Sequence, residues 1–76
     1  PFNGSTIIKY YLPKENFIKI EIFNTIGELV ENVYNGFQNA GLHELVFNSE
    51  SFSSGVYFYK ITTPTFSETK KLELLK

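Results

Sequence analysis

Apolar and polar residues alternate with a period of two along most of the chain. From Phe17 to Asn24, Ile18, Ile20 and Ile22 alternate with Lys19 and Glu21. That pattern gives a strand one apolar and one solvated face. Ser5 to Leu12 reads the same way, with Ile8, Tyr10 and Leu12 toward a core and Lys9 opposite. Leu42 to Asn48 alternates less cleanly, setting His43, Leu45 and Phe47 against Leu42, Glu44 and Val46. Val56 to Thr63 is apolar on both faces except at Lys60, which predicts a central strand covered on both sides. Ser67 to Leu75 closes the series, with Leu72 and Leu74 on one side and Leu75 on the other.

Between these segments lie turn signals: Leu12–Asn16, Asn24–Gly27, Asn35-Gly36, Asn39–Gly41, Ser53–Gly55 and Thr63–Thr65. Gly27, Gly41 and Gly55 fall at such turns, where a positive φ is reached at little steric cost only by glycine. Short strands at this spacing predict an all-β, antiparallel β-sandwich of about seven short strands.

One stretch fits two templates. Ile26, Leu29, Val30, Val33, Tyr34 and Phe37 recur at i, i+3, i+4 and i+7, a helical stripe with Glu28, Glu31 and Asn32 on the other side. Its brevity and the flanking glycines also suit a strand with an irregularity. The pattern leaves both open.

Composition narrows the classes. Hydrophobic residues make up 42% and aromatics 17% of 76 residues, with eight Phe, five Tyr, no Trp and no Met. That is enough apolar surface for a thin core and too much for a disordered chain. Net charge is −1, without the basic face that nucleic acid requires. No apolar run approaches the ~20 residues of a membrane helix, and these residues hold no charged-then-apolar signal segment, so any export signal is expected upstream of Pro1. The absence of Cys rules out disulfides. The start at Pro1 without Met leads us to expect a fragment of a larger protein, residues 1–76 forming one domain.

Candidate chemistry is sparse. His43 is the only histidine and there is no Asp, so a catalytic triad would need Glu, and nothing resembles a nucleophile elbow. One His and no Cys also argue against a zinc site. No phosphate-binding glycine loop occurs, so no metal, cofactor or catalytic residue is expected and His43 reads as structural. Asn3-Gly4-Ser5 matches a glycosylation sequon and reads as chance. Tyr10, Tyr11, Tyr57 and Tyr59 could stack on sugar rings, or simply fill a core and cover cross-strand neighbours. Lys70, Lys71 and Lys76 read as charges that keep a final edge strand soluble.

The order of motifs resembles the type A C-terminal sorting domain of the type IX secretion system of Bacteroidetes-type bacteria. It is also similar to the immunoglobulin-like module of flagellar hook-capping proteins. Pro1-Phe2-Asn3-Gly4-Ser5-Thr6 resembles the family opening, with Gly4 where Pro is usual, and Ile8–Pro13 resembles its first strand. Phe23–Val30 is similar to the block in which a glycine leads into a strand, which implies that Leu29–Tyr34 is extended. Ala40-Gly41-Leu42-His43 follows, with Phe47 where Trp is commoner. Phe52–Ile61, containing Ser54-Gly55-Val56-Tyr57, is the most specific block, and Glu68–Lys76 resembles the terminal one.

The resemblance implies an immunoglobulin-like sandwich serving as a non-catalytic export address. Cargo joined upstream would reach the periplasm and be recognised by the outer-membrane translocon. A sortase-like cysteine peptidase would then remove the domain, leaving the cargo on the cell surface or outside. Gly55, Val56 and Tyr57, with Lys70, Lys71 and Lys76, are the candidate recognition residues. Two rivals stand beside it: a carbohydrate-binding module built on the tyrosines, and an immunoglobulin-like spacer.

Overall fold

The alternation of β2 (Asn16–Phe23) is the organising feature of the computed structural model, which describes residues 5–75. Ile18, Ile20 and Ile22 are each at most 1% exposed, stacked along one face of the strand. β1 (Ser5–Leu12) buries Ile8, Tyr10 and Leu12 against them. β4 (Gly41–Asn48) points His43, Leu45 and Phe47 inward and leaves Leu42 and Val46 in solvent. β5 (Gly55–Thr62) adds Tyr57 and Ile61 to the core, and β6 (Ser67–Leu74) adds Leu74. Burying these side chains is the main term that favours the folded chain.

The strands form two antiparallel sheets packed as a sandwich, one of order β1-β4 and one of order β3-β2-β5-β6, where β3 is Leu29–Gln38. The described residues thus hold six strands rather than about seven. Leu29–Gln38 is a single ten-residue strand. Asn35-Gly36, predicted as a turn, runs extended inside it, paired with Lys19 and Ile18.

β3 also resolves the helical stripe. Its register against β2 slips twice: Ile20 faces Tyr34 while Glu21 faces Asn32, and Ile22 faces Glu31 while Phe23 faces Leu29. Val33 and Val30 are the extra residues. Each bulge advances the apolar sequence by one position, so a strand of period two acquires spacings of three and four. The extended conformation implied by the family resemblance is therefore the one adopted.

β5 is central within its sheet, between β2 and β6, but only one of its faces meets the other sheet. Val56, Phe58, Lys60 and Thr62 lie on the outer face, half-buried by their strand neighbours. The predicted cover on both sides is absent, because a two-sheet sandwich gives each strand one inner face. Lys19 and Glu21 are likewise half-covered on that outer face, 4.0 Å apart.

Side chains close the connections. Asn24 Oδ1 accepts from the amides of Ile26 and Glu28 at 3.1 and 2.9 Å, folding Asn24–Glu28 back on itself. Thr63 Oγ1 accepts from the Phe66 amide at 3.1 Å, and the Thr63 amide donates to the Phe66 carbonyl at 2.8 Å, closing the β5–β6 hairpin. The Tyr57 hydroxyl donates to the Ser53 carbonyl at 2.8 Å while its ring packs on Phe52, which in turn packs on Phe47. The segment before β5 is held down by that chain of rings.

Candidate recognition surface

Gly55, Val56 and Tyr57 open β5, and Lys70 and Lys71 lie in β6. Antiparallel pairing puts the two blocks in one hairpin: Gly55 faces Leu74, Val56 faces Glu73, Tyr57 faces Leu72, Phe58 faces Lys71 and Tyr59 faces Lys70. Blocks well apart in the sequence are thereby joined by adjacent backbone.

Their side chains divide between two faces, because neighbours along a strand point opposite ways. Tyr57 is 8% exposed and belongs to the core, so it offers shape to the hairpin and little surface. Val56 and Lys71 lie on the outer face, beside Glu73 and Phe58. Lys70 lies on the inner face with Tyr59. The two lysines are therefore not a single basic patch, and Lys76 lies outside the described residues, as does the Pro1–Gly4 opening. Gly55 has a φ of 148°, Gly41 of 121° and Gly27 of 85°.

Lys70 and Glu68 sit on the core-facing side of β6 and are nevertheless exposed, because the other sheet ends at β1. A groove of about 150 Å³ opens there, between β1 residues Lys9 to Leu12 and Tyr59, Ile61, Phe66, Glu68 and Lys70. No β4 residue lines it, so it lies along the side of β1 that faces away from β4. Sequence reasoning missed this groove. Its only trace in the sequence is the charge at Glu68 and Lys70, on the parity that the apolar Leu72 and Leu74 share.

The tyrosines do not assemble a sugar platform. Tyr10 and Tyr57 are buried, Tyr59 is half-buried over the groove, and Tyr11 alone is open, on the outer face of the two-stranded sheet. Burial pushes the Tyr10 phenol above the usual tyrosine range, with a further contribution from Tyr34. His43 stacks on Tyr10 with ring centroids 5.2 Å apart, and its Nε2 lies 2.7 Å from the Asn39 carbonyl oxygen. Both contacts fix the ring in place at the start of β4.

Among the described residues, no three His, Cys, Asp or Glu side chains gather as metal ligands, and no helix is long and apolar enough to cross a membrane. Comparison with known families gives one finding. The model of the secretion system C-terminal sorting domain matches residues 1–74. No curated protein and no solved structure matches the chain.

Proposed function

Since this chain belongs to the family of secretion system C-terminal sorting domains, we propose that it is a folded, non-catalytic address that carries an upstream cargo across the outer membrane through the type IX system. The domain passes through the periplasm, is engaged by the outer-membrane translocon, and is cut away by a sortase-like cysteine peptidase. The cargo is left on the cell surface or released. The observation that carries this reading is the family match over residues 1–74, which spans all six strands of the sandwich.

Recognition on such a domain works through surface and backbone, since the rigid hairpin presents its lysines on two faces at a fixed spacing. We assign the reading of the address to the β5–β6 hairpin and the residues that follow it: Gly55, Val56 and Tyr57 set its start, Lys70 and Lys71 supply charge within it, and Lys76 adds to that charge from outside the described residues. A carbohydrate-binding role has no support in the arrangement of the tyrosines.

The test is export of a reporter that carries a signal peptide and residues 1–76 in a host with this secretion system. Truncation would confound the result, because Leu72 and Leu74 belong to the core. The informative variant is Lys70→Glu with Lys71→Glu, which leaves both leucines in place. Surface display is expected to fall several-fold while the purified domain melts unchanged. Equal display would refute the assignment of the lysines, and equal display without residues 1–76 would refute the address itself.

A further inference from the structure

Among the four outermost strands, β3 and β6 carry guards that β1 and β4 lack, and only the free side of β1 borders a groove. Exposed strand edges invite pairing with other chains, and proteins blunt them with bulges, proline or inward-pointing charge. β3 carries two bulges, and β6 turns Glu68 and Lys70 toward the inner side. β1 runs eight residues with no bulge, proline, glycine or inward charge, and among described strands it pairs only with β4. Its other side borders the groove, where Tyr59 and Phe66 are incompletely covered, Phe66 being 43% exposed.

We propose that this side of β1 is a strand-addition site for an extended segment of a partner protein. The segment places a carboxylate opposite Lys9 and apolar side chains over Tyr59 and Phe66. The geometry follows from the pairing already present. Residues directly opposite one another in antiparallel strands share a face. A segment beside β1 therefore sends the residues opposite Ile8, Tyr10 and Leu12 inward over the groove, and the residue opposite Lys9 outward. β4 meets the same requirement on the other side, with Glu44 3.7 Å from Lys9 and with His43 and Leu45 turned inward. Main-chain hydrogen bonds supply affinity in this mode, and the alternate side chains supply selectivity.

A second copy of the chain fits less well. Its β1 contains no acidic residue to set against Lys9. Its β4 does, but adding β4 of one copy to β1 of the next is a head-to-tail contact, which ends only where the rotation between copies closes a ring. The inference rests on the sorting reading only for placing the partner in the export machinery. The test reads binding without export, so either can fail alone.

The probe is a capped peptide with the sequence of Gly41–Asn48, beside a second peptide carrying the Glu44→Lys change. Each is titrated into the chain and followed by amide shifts and amide exchange. The acidic peptide is expected to protect β1 amides and to shift Tyr59 and Phe66, with β4 amides keeping their protection. The chain is then made with Lys9→Glu and Glu44→Lys together, which preserves the internal ion pair and so the fold. In that chain the acidic peptide should bind roughly three- to tenfold more weakly and the lysine peptide more tightly, as expected when an opposed charge pair becomes a like one. Phe66→Ala should weaken both peptides. The proposal is overturned by no perturbation up to the solubility limit, by perturbation at β3 or β6 instead, or by an unchanged preference in the swapped chain. Loss of β4 protection would mean exchange and not addition. Concentration-dependent protection of β1 without peptide would make a second copy the occupant. Either result also overturns it.

Discussion

The ring of Tyr34 lies across Gly36. A Cβ at position 36 would stand 3.1 Å from the Tyr34 hydroxyl oxygen and 3.3 Å from Cζ, and that hydroxyl donates to the Phe37 carbonyl at 3.0 Å. Glycine inside a strand ordinarily weakens it, through chain entropy and the lack of a side chain to pack. Here the neighbouring aromatic covers the bare backbone, a known remedy for glycine at a sheet edge. The two residues should therefore be coupled. Gly36→Ala is expected to cost up to about 1 kcal/mol with Tyr34 present, and to be neutral or stabilising by about 0.5 kcal/mol in a Tyr34→Ala background. Urea unfolding of the four proteins measures the difference. Equal effects in both backgrounds would show that the ring does not constrain position 36.

Tyr57 combines a buried ring with a hydroxyl that holds the Ser53 carbonyl at 2.8 Å. The two contributions can be separated. Tyr57→Phe should lose about 1 kcal/mol, the net value of one hydrogen bond, because water can reach the exposed Ser53. Tyr57→Ala should lose about 3–5 kcal/mol, since it also empties the contact with Phe52. A domain this small has little more than that in reserve. Circular dichroism in urea should show a shifted midpoint for Phe and an unfolded chain for Ala. A folded Tyr57→Ala would remove this residue from the core.

The β2 face was legible because Ile18, Ile20 and Ile22 sit in an undistorted strand, where the period of two survives intact. The β3 face was not, because bulges at Val30 and Val33 converted its period into one that a helix also produces. Asn35-Gly36 read as a turn from local chemistry, whereas its conformation is set by pairing with β2 and by Tyr34. The candidate recognition residues were legible as motifs, but their division between two faces depends on register. The β1 edge was invisible for a related reason: alternation reveals which face of a strand is apolar and carries nothing about which side lacks a partner.

Tyr10 makes stability depend on pH in the alkaline range. Its folded pKa is raised above the ordinary tyrosine value, by burial first and by Tyr34 second. The unfolded chain then loses this proton before the folded one does, so the folded state binds more protons and stability falls as pH rises. The contribution is complete below about pH 10 and is lost as pH climbs through the raised folded value. The melting temperature is expected to fall as pH rises above about 10, and Tyr10→Phe should flatten that fall. Tyrosinate absorbance in the folded chain should lose its Tyr10 component, which titrates above the usual tyrosine range, when the variant replaces the wild type. An identical alkaline profile for both proteins would assign the effect to another group.

Gly27 isolates backbone strain from crowding. Its φ is 85°, and a Cβ built there meets nothing within 4 Å. The conformation is imposed by the Asn24 turn: the Gly27 amide donates to the Asn24 carbonyl at 3.1 Å, the Asn24 amide donates to the Glu28 carbonyl at 3.0 Å, and Asn24 Oδ1 accepts from Ile26 and Glu28. With Asn24 Nδ2 also donating to Glu28 Oε1 at 2.9 Å, five hydrogen bonds hold the turn, so the backbone should keep its shape when a side chain is added. Gly27→Ala then bears the left-handed penalty directly, about 1–2 kcal/mol, with no steric term from neighbours. Gly27→Asn should cost less, because asparagine tolerates that region better than any β-branched or bulky residue. Gly27→Val should cost most. Denaturant midpoints in the order Gly, Asn, Ala, Val are therefore expected, with unchanged slopes. If Asn24→Ala is introduced first, the turn is free to relax and the spread among the variants should shrink. A spread that persists in that background would place the strain in the β2–β3 connection as a whole, not in the asparagine-capped turn.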